Sequence, residues 1–271
     1  MLERYESLKK EIQALESLIV AFSGGVDSSL LLKAAHDALG EKALGITVTT
    51  PYMAEREIKE AIAFAKEIGA RHEVLSFPWI PTLKENPTNR CYLCKHALFS
   101  SLKKLAYQRG FAHIAEGSNL DDTKEERPGR IALQELGIAT PLLSLGLSKN
   151  EIRQISKELS LKSWNRPSYA CLLTRFPHNR PLLEEEIEMV EQAEEFLISL
   201  GYGRVRVRFH EELAKIELEP KMMERLISSQ EERTKVTLFL RTLGFSHVAL
   251  DIAGYKDEAL HQGISCKPKR S

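Results

Sequence analysis

Leu18-Ile19-Val20-Ala21-Phe22 is an apolar run that passes without a break into Ser23-Gly24-Gly25-Val26-Asp27-Ser28-Ser29. The run reads as a buried strand. The stretch from about Ser28 to Leu39, stopped by Gly40, reads as a helix. A buried strand that turns at glycines directly into a helix opens a βαβ unit, so a parallel sheet flanked by helices is expected. Glycines permit the sharp turn and let the backbone approach an anion with no Cβ in the way. The helix N-terminus adds unpaired N–H groups and a partial positive charge, and the serine hydroxyls add donors. The segment therefore reads as a phosphate cradle, the plain alternative being a tight turn. It lacks the Gly-Lys-Ser/Thr ending that serves γ-phosphate chemistry.

The pattern repeats downstream. Leu44–Thr49, Arg71–Phe77 and Ala112–Glu116 read as further strands, Glu55–Ile68 as a helix, and Ser148-Lys149-Asn150-Glu151 as a capping box opening another. After Pro177 and Pro181 the texture changes. Leu183 to Leu200 carries apolar residues at 183, 187, 190, 193 and 197, a helical stripe backed by a glutamate-rich face expected to be solvated. Val205–His210 alternates like a half-buried strand, and Ala214–Leu218 and Val248–Ile252 read likewise. The 271 residues are thus expected to form an α/β domain over 1–177 and a small α+β domain over 178–271.

Lys+Arg and Asp+Glu both count 38, which argues against a chain whose main work is coating nucleic acid. No apolar run reaches the roughly 20 residues of a membrane span, and the charged N-terminus does not read as a signal peptide. A cytoplasmic protein is the expectation, and in that compartment Cys91-Tyr92-Leu93-Cys94 reads as a metal or redox pair rather than a disulfide. Cys171 stands alone in the chain, and Cys266 in the polar tail is given no role.

The loop Ser23-Gly24-Gly25-x-Asp27-Ser28 resembles the signature of the PP-loop ATP pyrophosphatase superfamily, with its adenine nucleotide alpha hydrolase-like, Rossmann-like fold. Gly117-Ser118-Asn119-x-Asp121-Asp122 is similar to that superfamily's later nucleotide-pocket motif; a helix cap or turn is the alternative for the two aspartates. The resemblance implies that Ser23, Gly24, Gly25, Ser28 and Ser29 cradle the pyrophosphate of ATP and that Asp27 helps hold Mg²⁺. It further implies that the strand end Thr47–Thr49 touches adenosine, with Thr49, Gly117 and Asp122 lining the pocket.

Arg127-Pro128-Gly129, then Arg166-Pro167-Ser168-Tyr169-Ala170-Cys171-Leu172-Leu173-Thr174-Arg175-Phe176-Pro177, then Val205-Arg206-Val207-Arg208-x-His210 and Asp251-x-x-Gly254-Tyr255-Lys256 occur in order. Together they resemble the LarE family of ATP-dependent sulfur transferases over almost the whole chain. That resemblance implies a small-molecule nucleotide substrate, pyridinium-3,5-biscarboxylic acid mononucleotide, whose carboxylate is adenylated and then thiolated in the making of the nickel-pincer nucleotide. In single-cysteine members the residue at Cys171 gives up its sulfur and becomes dehydroalanine. Members with two further cysteines hold a [4Fe-4S] cluster, here implying Cys91, Cys94 and Cys171 as ligands and a sulfide donor. A sacrificial Cys171, a zinc site and plain buried thiols stay open for the three residues.

Arg206 and Arg208, two apart on a strand, share a face and suit carboxylate or phosphate bidentately, a solvated sheet face being the alternative. Lys95, Arg175 and Lys256 are secondary cations. Lys256 stands where the family usually has Arg, and Glu217 is placed to orient an arginine or a metal. His210 reads as a structural hydrogen-bonder, and Trp79 and Trp164 as packing residues. Relatives imply a homo-oligomer built through the C-terminal domain. Competing readings are a PP-loop tRNA thiolase, an NAD-synthetase-like amidoligase and a non-enzymatic nucleotide-binding sensor or metal-storage module.

Overall fold

The computed structural model describes residues 1–124, 128–167 and 170–256; Arg127, Ser168, Tyr169 and Cys266 lie outside the described residues. The chain divides into two compact units between Cys171 and Leu172. The first contains α1 (Leu2–Gln13), β1 (Leu18–Ala21), α2 (Val26–Leu39), β2 (Ala43–Thr49), α3 (Glu55–Glu67), β3 (His72–Ser76), α4 (Arg90–Gln108), β4 (His113–Ala115), α5 (Pro128–Glu135), α6 (Pro141–Ser144) and α7 (Lys149–Glu158). Its four strands pair in parallel in the order β3-β2-β1-β4.

Leu18, Ile19 and Val20 of β1 are all fully buried, because consecutive side chains enter different cores. Leu18 and Val20 join Leu30, Leu31, Phe64 and Ile152 on one face of the sheet. Ile19 joins Leu44, Phe99, Leu102 and Leu133 on the other. Apolar cover on both faces is what makes β1 a continuous apolar run. The chain steps from β1 through β2 to β3 and then returns to place β4 on the far side of β1. That reversal makes a topological switch point between β1 and β4, at whose carboxyl ends open parallel sheets bind their ligands.

The second unit contains α8 (Glu184–Ser199), β5 (Val205–His210), β6 (Leu213–Leu218), α9 (Pro220–Ser228), α10 (Gln230–Thr242) and β7 (His247–Leu250). Its sheet runs β5-β6-β7, antiparallel between β5 and β6 and parallel between β6 and β7. The stripe of α8 holds at Ile187, Val190, Ala193 and Leu197, all buried, while Leu183 precedes the helix and is exposed. The solvated face has one exception, since Glu194 is buried. No described helix is long and apolar enough to cross a membrane.

Candidate functional site

The Ser23–Ser28 loop joins β1 to α2 at the sheet reversal. Gly24 needs to be glycine twice over: its φ is +77°, and a Cβ would lie 3.1 Å from that of Ala61 on α3. Ser23 and Ser28 hydroxyls meet at 3.1 Å, and the Ser29 hydroxyl donates to the Gly24 carbonyl at 3.3 Å. Gly25 caps α2 without a side-chain bond, so the first-turn amides have no protein cap competing for them. Gly117, at the exit of β4, packs directly on this turn: a Cβ there would lie 2.9 Å from the Ser28 nitrogen.

Asp27 opens α2 with a mostly buried carboxylate. Lys149, the first residue of α7, donates to its Oδ2, whereas Oδ1 is buried with no hydrogen-bond partner among the described residues. Burial pushes the Asp27 carboxyl above its ordinary value, against the attraction of Lys149, and the nearby Asp122 charge adds to the rise. Asp122 itself accepts from the Asn119 backbone in a capping box, so the cap reading of this motif holds geometrically. Asp121 accepts from the Lys149 backbone at 2.6 Å. A buried, orphaned carboxylate oxygen with a second carboxylate in electrostatic range suits a hard divalent cation, so these residues fit Mg²⁺. At the end of β2, the Thr47 hydroxyl is spent on the Phe22 carbonyl and His72 Nε2, both at 2.8 Å, leaving Thr49 as the exposed-side threonine of that strand end.

The cysteine pair lies on the first turns of α4, where an i, i+3 spacing sets both thiols on one face. Cys91 is exposed and Cys94 half-buried. The Tyr52 hydroxyl, almost fully buried just beyond β2, lies 3.6 Å from Cys94 Sγ, and its ring packs on Trp79 at 5.2 Å. Burial pushes the Cys94 thiol up, opposed by the Tyr52 hydrogen bond. Burial also raises the Tyr52 phenol, and the electrostatic influence of both Cys94 and Cys171 adds to it. Cys94, 77 positions before Cys171 in sequence, is the thiol that meets Tyr52, and Cys171 is close enough to add to the electrostatics of the phenol. The donor set fits an iron–sulfur or zinc site in kind, although no three His, Cys, Asp or Glu side chains converge to metal-holding distance among the described residues. Lys95, one residue on, reaches Glu116 at 3.4 Å.

In the second unit the cations are engaged. Arg175 forks Glu194 at 2.8 and 3.0 Å with both side chains buried, and Glu194 also accepts from the Val207 backbone at 2.9 Å. Arg208 forks Glu217 at 3.0 and 3.2 Å and donates to the Thr174 carbonyl at 2.6 Å. Arg206 is only 2% exposed, which departs from a solvated sheet face; it lies over Tyr255 and donates to the Lys256 carbonyl at 2.7 Å. Burial would raise Glu217, but the Arg208 hydrogen bonds and charge, with Lys215, outweigh it and hold the carboxyl below its ordinary range.

Sequence reasoning assigned no site role to Tyr52, Lys149 or Arg166. Lys149 stood inside the capping-box motif and was read only as part of a helix start. Arg166 opened a quoted motif without a task. Tyr52 carried no signal at all.

Residues 2–86 match the NAD synthase family model. An uncharacterized protein of Synechocystis sp. is 38% identical over 98% of this chain and all of its own length. Another from Methanocaldococcus jannaschii is 34% identical over 89% of this chain and 91% of its own. The pyridinium-3,5-bisthiocarboxylic acid mononucleotide synthase of Lactiplantibacillus plantarum, the LarE enzyme, is 31% identical over 96% of this chain and 94% of its own. The chain belongs to the LarE family. The NAD synthase match takes in the phosphate loop but stops short of Cys91 and of the whole second unit. Likeness to LarE runs through both, so it is the LarE relationship that spans the thiols and the arginine-bearing strand.

Proposed function

We propose that this LarE-family chain is an ATP-dependent sulfur transferase acting on pyridinium-3,5-biscarboxylic acid mononucleotide. A substrate carboxylate oxygen attacks the α-phosphorus of ATP, pyrophosphate leaves, and an acyl adenylate forms. A sulfur nucleophile then attacks the acyl carbon and AMP leaves, giving a thiocarboxylate. The observation that carries the reading is that Cys94 lies 3.6 Å from the buried Tyr52 hydroxyl, with Cys171 in electrostatic range of it, in the unit that also holds the Ser23–Ser28 turn.

In this reading Ser23, Gly24, Gly25, Ser28 and Ser29 receive the pyrophosphate, and Thr49, Gly117 and Asp122 line the nucleotide. Asp27, whose second oxygen has no partner among the described residues, would help hold Mg²⁺. Cys91, Cys94 and Cys171 would hold a [4Fe-4S] cluster, which would supply a sulfide as donor and spare Cys171. Without a cluster, Cys171 Sγ itself forms the thioester, and elimination across its Cα–Cβ bond releases the thiocarboxylate and leaves dehydroalanine. Within the second unit Arg206, Arg208 and Lys256 are the candidates for the substrate's anionic groups, with Glu217 orienting Arg208 and Arg175 secondary; within the first unit the candidate is Lys95. Exposed Ile227 and Leu238 on α9 and α10 support a homo-oligomer assembled through the second unit.

The test is anaerobic purification with iron and sulfide analysis, followed by ATP–pyrophosphate exchange and product mass spectrometry. The expected result is exchange that depends on the dicarboxylate substrate, a thiocarboxylate product, and iron lost in Cys91→Ala and Cys94→Ala. Cys171→Ala keeps exchange and makes no product. Absence of substrate-dependent exchange in wild type sinks the proposal. Iron-free wild type whose Cys171 loses the mass of H₂S selects the sacrificial route.

A further inference from the structure

Arg166 lies five positions before Cys171, yet its guanidinium reaches back to the phosphate loop, where NH1 donates to the Gly24 carbonyl at 2.7 Å. It is not a loosely tethered surface arginine. Its side chain is 18% exposed, its Nε faces Glu60 at 3.5 Å, and its guanidinium lies 5.9 Å from the Phe64 ring centre. The Arg166 backbone is held in turn, its carbonyl accepting from Arg153 at 2.8 Å.

The Gly24 carbonyl belongs to the same peptide plane as the Gly25 N–H. In a trans peptide these two groups point in opposite directions, and no cis peptide occurs among the described residues. Gly24 and Gly25 have no Cβ to resist rotation of the plane between them. Something else must fix it, and a charged donor on the carbonyl, helped by the Ser29 hydroxyl, does so. With the carbonyl held on the Arg166 side, the Gly25 N–H faces the other way, toward Ser23. Its contact there is long, 3.4 Å to Oγ, so the amide keeps most of its donor capacity for a ligand.

We propose that Arg166 is a positioning residue of the phosphate loop: by clamping the Gly24 carbonyl it holds the Gly25 N–H toward the bound phosphates. The inference rests on the reading of this loop as the pyrophosphate cradle of ATP. One side chain thereby ties the segment leading to Cys171 to the loop that opens the reaction.

Calorimetric binding of ATP, inorganic pyrophosphate and AMP to the full chain tests it. Arg166→Met is expected to weaken ATP and pyrophosphate by about 10- to 100-fold, the loss typical of one charged hydrogen-bond relay, while AMP binding is kept. Arg166→Lys, which retains a cation able to reach one carbonyl, is expected to recover a large part of the loss. Equal losses for AMP and ATP, or no loss, overturn the inference while the wild type still binds. Wild type that binds neither ATP nor pyrophosphate overturns the functional reading and this inference together. If Arg166→Met does not unfold cooperatively, Arg166→Lys compared with Arg166→Gln reads the same split.

Discussion

Two buried carboxylates, one in each unit, are treated in opposite ways. Glu194 in the second unit has both oxygens engaged by Arg175 and takes a backbone amide as well. Asp27 in the first has one oxygen on Lys149 and one without a partner among the described residues, and burial raises its pKa. A buried charge whose bonds are all made holds a fold together, whereas one left half-satisfied costs stability and is kept for something that binds. The comparison breaks most decisively at Asp27. Asp27→Asn is expected to lower ATP–pyrophosphate exchange by about 10³-fold, as several kcal/mol of metal-borne stabilisation disappear. It is also expected to unfold later than wild type in the absence of nucleotide. A carboxyl whose folded pKa is raised favours folding below its unfolded pKa and loses that contribution as pH rises through the folded value. At neutral pH the charge therefore costs stability, and the amide removes the cost. A lower unfolding midpoint in the asparagine variant would show that Asp27 is structural.

Arg175 gives the opposite result. Arg175→Met strands the Glu194 charge in the core and is expected to destabilise the second unit by about 3–5 kcal/mol in urea unfolding. Adding Glu194→Leu should return much of that loss, because the unpaired charge goes with it. If the double variant is as unstable as the single, the pair is not the cause. A smaller effect is expected at Gly117, where the added methyl of Gly117→Ala meets the Ser28 nitrogen at 2.9 Å. Overpacking of this kind costs about 1–3 kcal/mol. Since the strained atom belongs to the phosphate loop, ATP binding should weaken with it, and calorimetry on the same variant checks both.

The same division between satisfied and unsatisfied groups governs what could be read in advance. Strand β1 was legible because burial on both faces demands an unbroken apolar run, and the α8 stripe because burial on one face demands period. The turn from β1 into α2 was legible because a positive φ and a close approach to Ala61 require glycine at Gly24. Arg206 was read as an anion-binding candidate with a solvated sheet face as the alternative, and the alternative fails because Tyr255, from a distant part of the chain, covers it. Glu194 looked like one of many solvated glutamates for the same reason, since its partner lies 19 positions upstream. Tyr52 was silent because a lone tyrosine after a strand has no period and no motif, and only the fold brings Cys94 to it.

The finest distinction lies within the second unit, between Glu194, which props the strand, and Glu217, which aims Arg208. Glu217 has a folded pKa held below its ordinary value of 4.5. Its contribution to stability is therefore complete above that value and is lost as pH falls through the folded pKa. Glu217→Gln keeps the shape and one acceptor for Arg208 but carries no charge. It is expected to cost about 1–2 kcal/mol at neutral pH, the worth of a charge-assisted bond exchanged for a neutral one. The loss should shrink as pH is lowered past 4.5, because the wild type then gives up the same term while the amide has none to lose. Urea unfolding of both proteins between neutral and acid pH reads this directly. Two curves that stay parallel across the acid range would mean that Glu217 is held by packing rather than by charge, and that Arg208 is aimed by its bond to the Thr174 carbonyl instead.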